Sequence, residues 1–250
     1  MGRLEGKSAI LTGGARGLGK AYCIKMAEEG AKVIIADILE EEARQTAEEI
    51  RACGGRAFAV KVDVTSEEDT QNMARQAIER FGTIDILVNN AGMLYGATRA
   101  PFMEIPLDEW DKMMAINVKG VFLCCRAVFP QMKKQGKGKI INISSVVAIA
   151  GAPNFIHYSA SKGAVVTLTR CLASEVGKYG ICVNSIAPGM TDTKAARTIE
   201  DLDKYDVSLT PLGRLEQPGD IVGAVVFFAS DDTNFITGQT LIVDGGKYRH

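Results

Sequence analysis

One stretch near the start restricts the fold more than any other, because it sets out strand, turn, helix and strand in immediate succession. Residues 7–12 (KSAILT) are a short apolar run, 12–19 (TGGARGLG) a glycine-rich turn, and 21–29 a helical pattern closed by Gly30; residues 33–36 (VIIA) then form a second apolar run ending in Asp37. Two strands joined through a helix run parallel, and a parallel sheet needs both faces covered. The alternation continues without a linker, repeat or low-complexity segment. Strands are predicted at 56–64, 84–88, 139–145, 181–187 and 239–243, and helices at 40–53, from 66, at 108–134, 158–178 and 220–230. The predicted class is therefore α/β, a doubly wound sheet with helices on both faces, in one domain over residues 1–250.

Bulk properties narrow the function classes. A formal net charge of −1 provides no general attraction to nucleic acid or to an anionic membrane, so neither is an expected partner. The longest unbroken apolar or glycine run, 221–229, is too short to span a bilayer as a helix, and the chain reaches its glycine turn before any leader-like segment develops. Six cysteines (Cys23, Cys53, Cys124, Cys125, Cys171, Cys182) form no CxxC pair and have only His157 and His250 as companions, which argues against zinc and for a reducing compartment, read as the cytoplasm. Lys133, Lys134, Lys137 and Lys139 read as a solvated basic turn.

Chemistry gathers at the ends of the predicted strands, where an open α/β sheet binds ligands. Gly13, Gly17 and Gly19 allow a tight turn whose backbone N–H groups can receive a pyrophosphate at a helix N-terminus, and Arg16 and Leu18 lie in the same turn. Asp37 has two readings: an acid gripping a ribose 2′-hydroxyl and repelling a 2′-phosphate, or a cap for the helix that follows. The first favours NAD over NADP, with Arg16 as a counter-signal. Asp63, followed by Val64, either bonds an adenine amine or caps the next helix through Thr65 or Ser66. Asn90, Ala91 and Gly92 close the fourth strand with small and amide side chains that permit close approach and brace neighbouring strand ends. Asn117 interrupts an apolar helix, read locally as an exposed polar position. Tyr158 and Lys162 are four residues apart on a helix face, either a surface pair or an ammonium beside a phenol, which lowers the phenol pKa. Ser145 offers a hydroxyl to a substrate oxygen. His157 points away from Tyr158 on the helix and reads as a structural or rim residue.

In order, TGGARGLG, NNAG, Asn117, Ser145, Tyr158-x-x-x-Lys162 and Pro188-Gly189 resemble the short-chain dehydrogenase/reductases from about residue 7 to residue 246. The resemblance implies a seven-stranded parallel Rossmann sheet, usually in a homotetramer. It also implies Tyr158 as acid/base, Lys162 holding the nicotinamide ribose, Ser145 orienting the substrate oxygen and Asn117 anchoring a relay water. Asn90 and Thr191 would lie along the nicotinamide, with Thr193 on its carboxamide. The polar stretch at about 190–212 is a natural lid over the substrate. Around the substrate, Tyr95, Val146, Val147, Phe155 and Met190 are mostly apolar, favouring a hydrophobic small-molecule alcohol or ketone. The ITGQTLIVDGG ending is similar to that of aryl-alkyl alcohol dehydrogenases. A 3-oxoacyl-acyl-carrier-protein reductase is the alternative, although Gly136 and Tyr179 stand where that subfamily offers carrier-docking arginines. A non-catalytic NAD-binding protein on the same fold is the third reading.

Overall fold

A computed structural model describes residues 2–248 of the chain; His250, named above as a possible zinc companion, lies outside them. Seven strands form one sheet: β1 (Ser8–Thr12), β2 (Lys32–Asp37), β3 (Arg56–Lys61), β4 (Ile86–Asn89), β5 (Gly138–Ile143), β6 (Ile181–Pro188) and β7 (Thr240–Val243). Their order is β3-β2-β1-β4-β5-β6-β7 and every pairing is parallel. The doubly wound prediction is therefore met, strand count included. The order reverses between β1 and β4, and the crossovers leave in opposite directions there, opening a crevice at the strand C-termini.

Period-two side chains sort the core. Ala9 and Leu11 of β1, with Val33 and Ile35 of β2, face one layer; Ile10, Ile34 and Ala36 face the other. The first layer is closed by α1 (Gly17–Glu28), α2 (Glu40–Ala52) and α8 (Pro218–Ala229), whose Tyr22, Ala47 and Val225 are fully or almost fully buried. α3 (Glu67–Phe81), α5 (Gly120–Gln135) and α7 (Ile156–Val176) close the second through Met73, Val128 and Val165. Helix starts have local causes. Ser66 caps α3 by accepting from Asp69 N at 3.2 Å, and α2 begins with Glu40, Glu41 and Glu42 at the positive end of its dipole.

The helix predicted at 108–134 is three pieces: α4 (Leu107–Met114), one π turn (Ala115–Lys119) and α5. Over 107–135 this helical run is long and apolar enough to cross a membrane by length and composition, yet Val121, Cys124, Cys125 and Val128 are spent on the sheet. A short α6 (Val147–Ala150) precedes α7. Two expectations need correcting. The third strand stops at Lys61; Val62 N still donates to Asp37 O at 2.9 Å, and beyond it Asp63 and Val64 wall the crevice. Lys139 is not solvated: as the second residue of β5 it is 7% exposed, bonds Thr233 Oγ1 at 3.2 Å, and burial lowers its pKa.

Candidate active site

A cleft of about 1100 Å³ opens at the C-terminal edge of the sheet. Nearly all the candidate residues line it. Its floor is the glycine turn. Gly13 and Gly17 hold φ of +66° and +57°, values an L side chain rarely adopts, and a Cβ at Gly19 would come within 1.9 Å of Gly13 O. Asn90 Nδ2 donates to Gly13 O at 2.9 Å and to Thr12 O at 3.1 Å, tying the end of β4 to this turn. Ala91 N bonds Thr12 Oγ1 from the same strand end.

Asp37 ends β2 as a buried residue, 9% exposed, its carboxylate accepting from Ala15 N at 2.9 Å and Leu39 N at 3.0 Å. The capping alternative is thereby decided: Leu39, not Asp37, stands at the N-cap of α2. Asp63 accepts from Thr65 N and Thr65 Oγ1, while Ser66 caps α3, so Asp63 fixes the turn before the helix rather than capping it. Arg16 lies with its guanidinium 4.9 Å from the centre of the Tyr95 ring, bridging the glycine turn to the loop after β4. Leu18, Met190, Val147 and Val64 complete the cleft walls, with the Pro188-Gly189 turn at the end of β6.

At the inner end, Ser145 follows β5, and Tyr158 and Lys162 rise from the first two turns of α7. Lys162 Nζ is 5.7 Å from the centre of the Tyr158 ring and donates to Ile143 O at 2.9 Å. The phenol is not lowered overall as expected. Burial pushes Tyr158 up to about 12, only partly offset by the Ser145 hydroxyl, and burial brings Lys162 down to about 8. The ammonium is committed to a backbone carbonyl and removed from water, so desolvation outweighs its field at the phenol. Phe155 stacks on Tyr158 with centroids 4.7 Å apart and planes 21° apart, presenting an apolar face beside the hydroxyl.

Asn117 is not an exposed helix residue. It sits 1% exposed in the π turn, donating to Ser161 Oγ at 3.0 Å and accepting from Met93 N at 2.7 Å. A Cβ at Gly92 would lie 3.3 Å from Asn117 Oδ1 and 3.5 Å from Lys162 Nζ, so glycine keeps this corner open. His157 is fully buried and pairs through Nε2 with Glu109 Oε1 at 2.9 Å, consistent with the structural reading. Glu109 also accepts from Thr98 N and Oγ1, so one carboxylate ties α4, the loop after β4 and the start of α7. Beyond β6, Thr191 Oγ1 bonds Glu216 Oε2 at 2.7 Å and Thr193 Oγ1 accepts from Ala196 N at 3.1 Å. Arg99 pairs with Glu200, and Gly96 N donates to Thr198 Oγ1 at 2.9 Å, so the loop after β4 meets the expected lid across the cleft mouth.

Glu109, Arg99 and Glu216 were not singled out from the sequence. Each lies in a charged or loop stretch with no local period, and only the fold brings them to the cleft.

The family model described as enoyl-(acyl carrier protein) reductase matches residues 13–247. A cyclopentanol dehydrogenase from Comamonas sp. (strain NCIMB 9872) is 40% identical over 249 residues, covering 98% of this chain and 98% of that protein. A 3-oxoacyl-[acyl-carrier-protein] reductase from Staphylococcus aureus (strain Mu50 / ATCC 700699) is 39% identical, covering 97% of this chain and 98% of that protein. Among solved structures, a 7α-hydroxysteroid dehydrogenase complexed with NADH and 7-oxo glycochenodeoxycholic acid superposes with a TM-score of 0.92 at 38% identity, covering 98% of this chain and 95% of the other.

Proposed function

The chain belongs to the short-chain dehydrogenase/reductase family, oxidoreductases acting on CH–OH groups, and on that premise we propose that it uses NAD(H) to interconvert a hydrophobic secondary alcohol and its ketone. The observation that carries the proposal is the convergence of Ser145, Tyr158 and Lys162 on one cleft whose far end is closed by the Asp37 carboxylate.

The cleft suits a nicotinamide dinucleotide. Its floor is a turn in which added Cβ atoms would collide, followed at once by the N-terminus of α1. On this reading Gly13, Arg16, Gly17, Leu18 and Gly19 hold the pyrophosphate, Asp63 and Val64 the adenine, and Asn90, Ala91, Gly92, Pro188, Gly189, Thr191 and Thr193 the nicotinamide end; all of these line the cleft. Asp37 is pinned by two backbone amides, so it cannot swing aside for a 2′-phosphate, and this supports NAD over NADP. Arg16 supports it too, since its guanidinium is stacked on Tyr95. The cofactor supplies a hydride acceptor or donor.

The protein's own groups manage the proton. Ser145 Oγ holds the substrate oxygen and Tyr158 Oη exchanges the proton with it. The raised phenol is fully protonated at neutral pH, which readies it to donate to a carbonyl oxygen. In the reverse direction it must lose that proton, assisted by the Lys162 ammonium and by any positive charge brought into the cleft. Asn117, whose amide is held by Ser161 and Met93 at the corner that Gly92 keeps open beside Lys162, is assigned the relay water on the strength of the family resemblance. Phe155, Val147, Met190 and the exposed Tyr95 supply an apolar surface with few polar demands, which supports a hydrocarbon-like ketone over a sugar.

A carrier-protein reductase is the second reading, supported by the Staphylococcus relative. Against it, Gly136 and Tyr179 carry no guanidinium, and Tyr179 packs instead on Phe129 and under Lys133. Assaying NADH and NADPH against cyclic and aromatic ketones and a 3-oxoacyl thioester tests the proposal. NADH-dependent turnover of the ketones is expected; NADPH preference with thioester turnover would overturn it. Tyr158→Phe should lower kcat by about 10²- to 10⁴-fold while NADH still binds.

A further inference from the structure

One buried carboxyl in the cleft wall has no part in the proton transfer proposed above. Glu216 is 8% exposed and marks the point where the chain returns after its excursion beyond β6. Thr191 and Glu216 pair as a parallel bridge, Asp192 N donates to Glu216 O at 2.8 Å, and Thr191 Oγ1 donates to Glu216 Oε2 at 2.7 Å. The second oxygen, Oε1, is buried with no hydrogen-bond partner among the described residues. A Cβ at Gly189 would sit 3.6 Å from Oε2, so the carboxyl lies against the Pro188-Gly189 turn.

Its neighbours leave it without a cation of its own. From α8 comes Asp220, from the end of β7 Asp244, and from α1 the phenol of Tyr22, whose Oη is likewise buried and unpartnered. Arg214, close in sequence, is engaged by both carboxylate oxygens of Asp220 at 2.6 and 2.7 Å. Asp244 is occupied by Gly246 N and Tyr248 N. Burial, reinforced by Asp220 and Asp244, pushes the Glu216 carboxyl up to about 7. Both protonation states are therefore accessible near neutrality.

We propose that Glu216 tunes the relative affinity of the cleft for oxidised and reduced nicotinamide: as a carboxylate it favours the cationic ring of NAD⁺, and as a neutral acid it favours the uncharged ring of NADH. The inference rests on the nicotinamide reading of the cleft given above. Coupling of this kind is reciprocal, so NAD⁺ binding expels a proton from Glu216 and rising pH strengthens NAD⁺ relative to NADH. Lys162, down at about 8, is the competing source of such a proton, and the test must separate the two.

Binding of NAD⁺ and NADH is measured by calorimetry from pH 6 to 9, without substrate, in buffers of different ionisation enthalpy. The wild-type ratio of NAD⁺ to NADH affinity should rise by about three- to tenfold with a midpoint near pH 7, with proton release on NAD⁺ binding. In Glu216→Gln the ratio should be flat and the proton release near pH 7 lost. Thr191→Val, which removes the donor that stabilises the carboxylate, should move the midpoint upward. An unchanged pH dependence in Glu216→Gln, a midpoint unmoved in Thr191→Val, or no proton release in the wild type would each overturn the proposal. Failure of both nucleotides to bind at every pH would overturn the nicotinamide reading and this inference with it.

Discussion

Tyr158 and Lys162 show how far residue spacing alone carries an argument. Four residues on a helix put both side chains on one face, and the structure keeps them there, but their protonation is set by what surrounds that face. With the phenol raised to about 12 and the lysine lowered to about 8, the free enzyme holds the donor form of the tyrosine throughout the neutral range. Ketone reduction should therefore be nearly constant from pH 6 to 8, whereas alcohol oxidation, which needs the phenolate, should climb as pH rises. Initial rates in the two directions check this; an oxidation rate that falls with pH would contradict it. Asp37 supports a second expectation. Asp37→Ala removes the charge that opposes a 2′-phosphate and frees Ala15 N and Leu39 N to meet one. The preference for NADH over NADPH should shrink by at least about tenfold, read as the ratio of kcat/KM values.

At the scale of elements, two features hold the catalytic end of the cleft in shape. The π turn at Ala115–Lys119 carries Asn117 inward under the corner that Gly92 keeps open. Gly92→Ala would force a methyl to within 3.3 Å of Asn117 Oδ1, so activity should fall far more than stability. The Glu109 carboxylate joins three elements, and its pKa is lowered by Thr98 and His157 against the opposing effect of burial. His157→Ala leaves that carboxylate short of a partner and opens a cavity against Phe155, so urea denaturation should show a loss of about 2 to 4 kcal/mol. The helices, the glycine turn and the strand ends were legible because periodicity and turn chemistry are local properties. Asn117 was misplaced on local grounds for a physical reason: a buried amide is costly unless paired, and its partners Met93 N and Ser161 Oγ come from segments that only the fold brings beside it.

For the whole molecule, Glu216 links the cleft to global stability. Its carboxyl stands at about 7 in the folded protein against 4.5 for an ordinary glutamate, so between these values the folded state retains a proton that the unfolded chain has released. Stability from this group is therefore full below about pH 4.5 and declines as pH rises through 7. Glu216→Gln, uncharged throughout, should flatten the decline between pH 5 and 8 by on the order of 1 to 3 kcal/mol, measured by urea unfolding of the cofactor-free protein. Several large apolar side chains stand in solvent, among them Met103 at 80%, Leu107 at 80% and Phe235 fully exposed. Such surface supports the expectation of a multimer, which light scattering can test.

What the amino-acid order determined by itself is the alternation of strand and helix, the glycine turn that a side chain would block, and the order in which polar residues arrive at strand ends. These follow from backbone sterics and from period-two and period-3.6 burial, which need only neighbours along the chain. Which carboxylates face water and which face the cleft was decided by tertiary structure. Glu109, Glu200 and Glu216 look alike in sequence, yet one locks a histidine, one meets Arg99 across the cleft mouth, and one is left in the wall with an unpaired oxygen. The electrostatic free energy of a charge depends on the distance to water and to other charges in space, and only the folded sheet sets those distances.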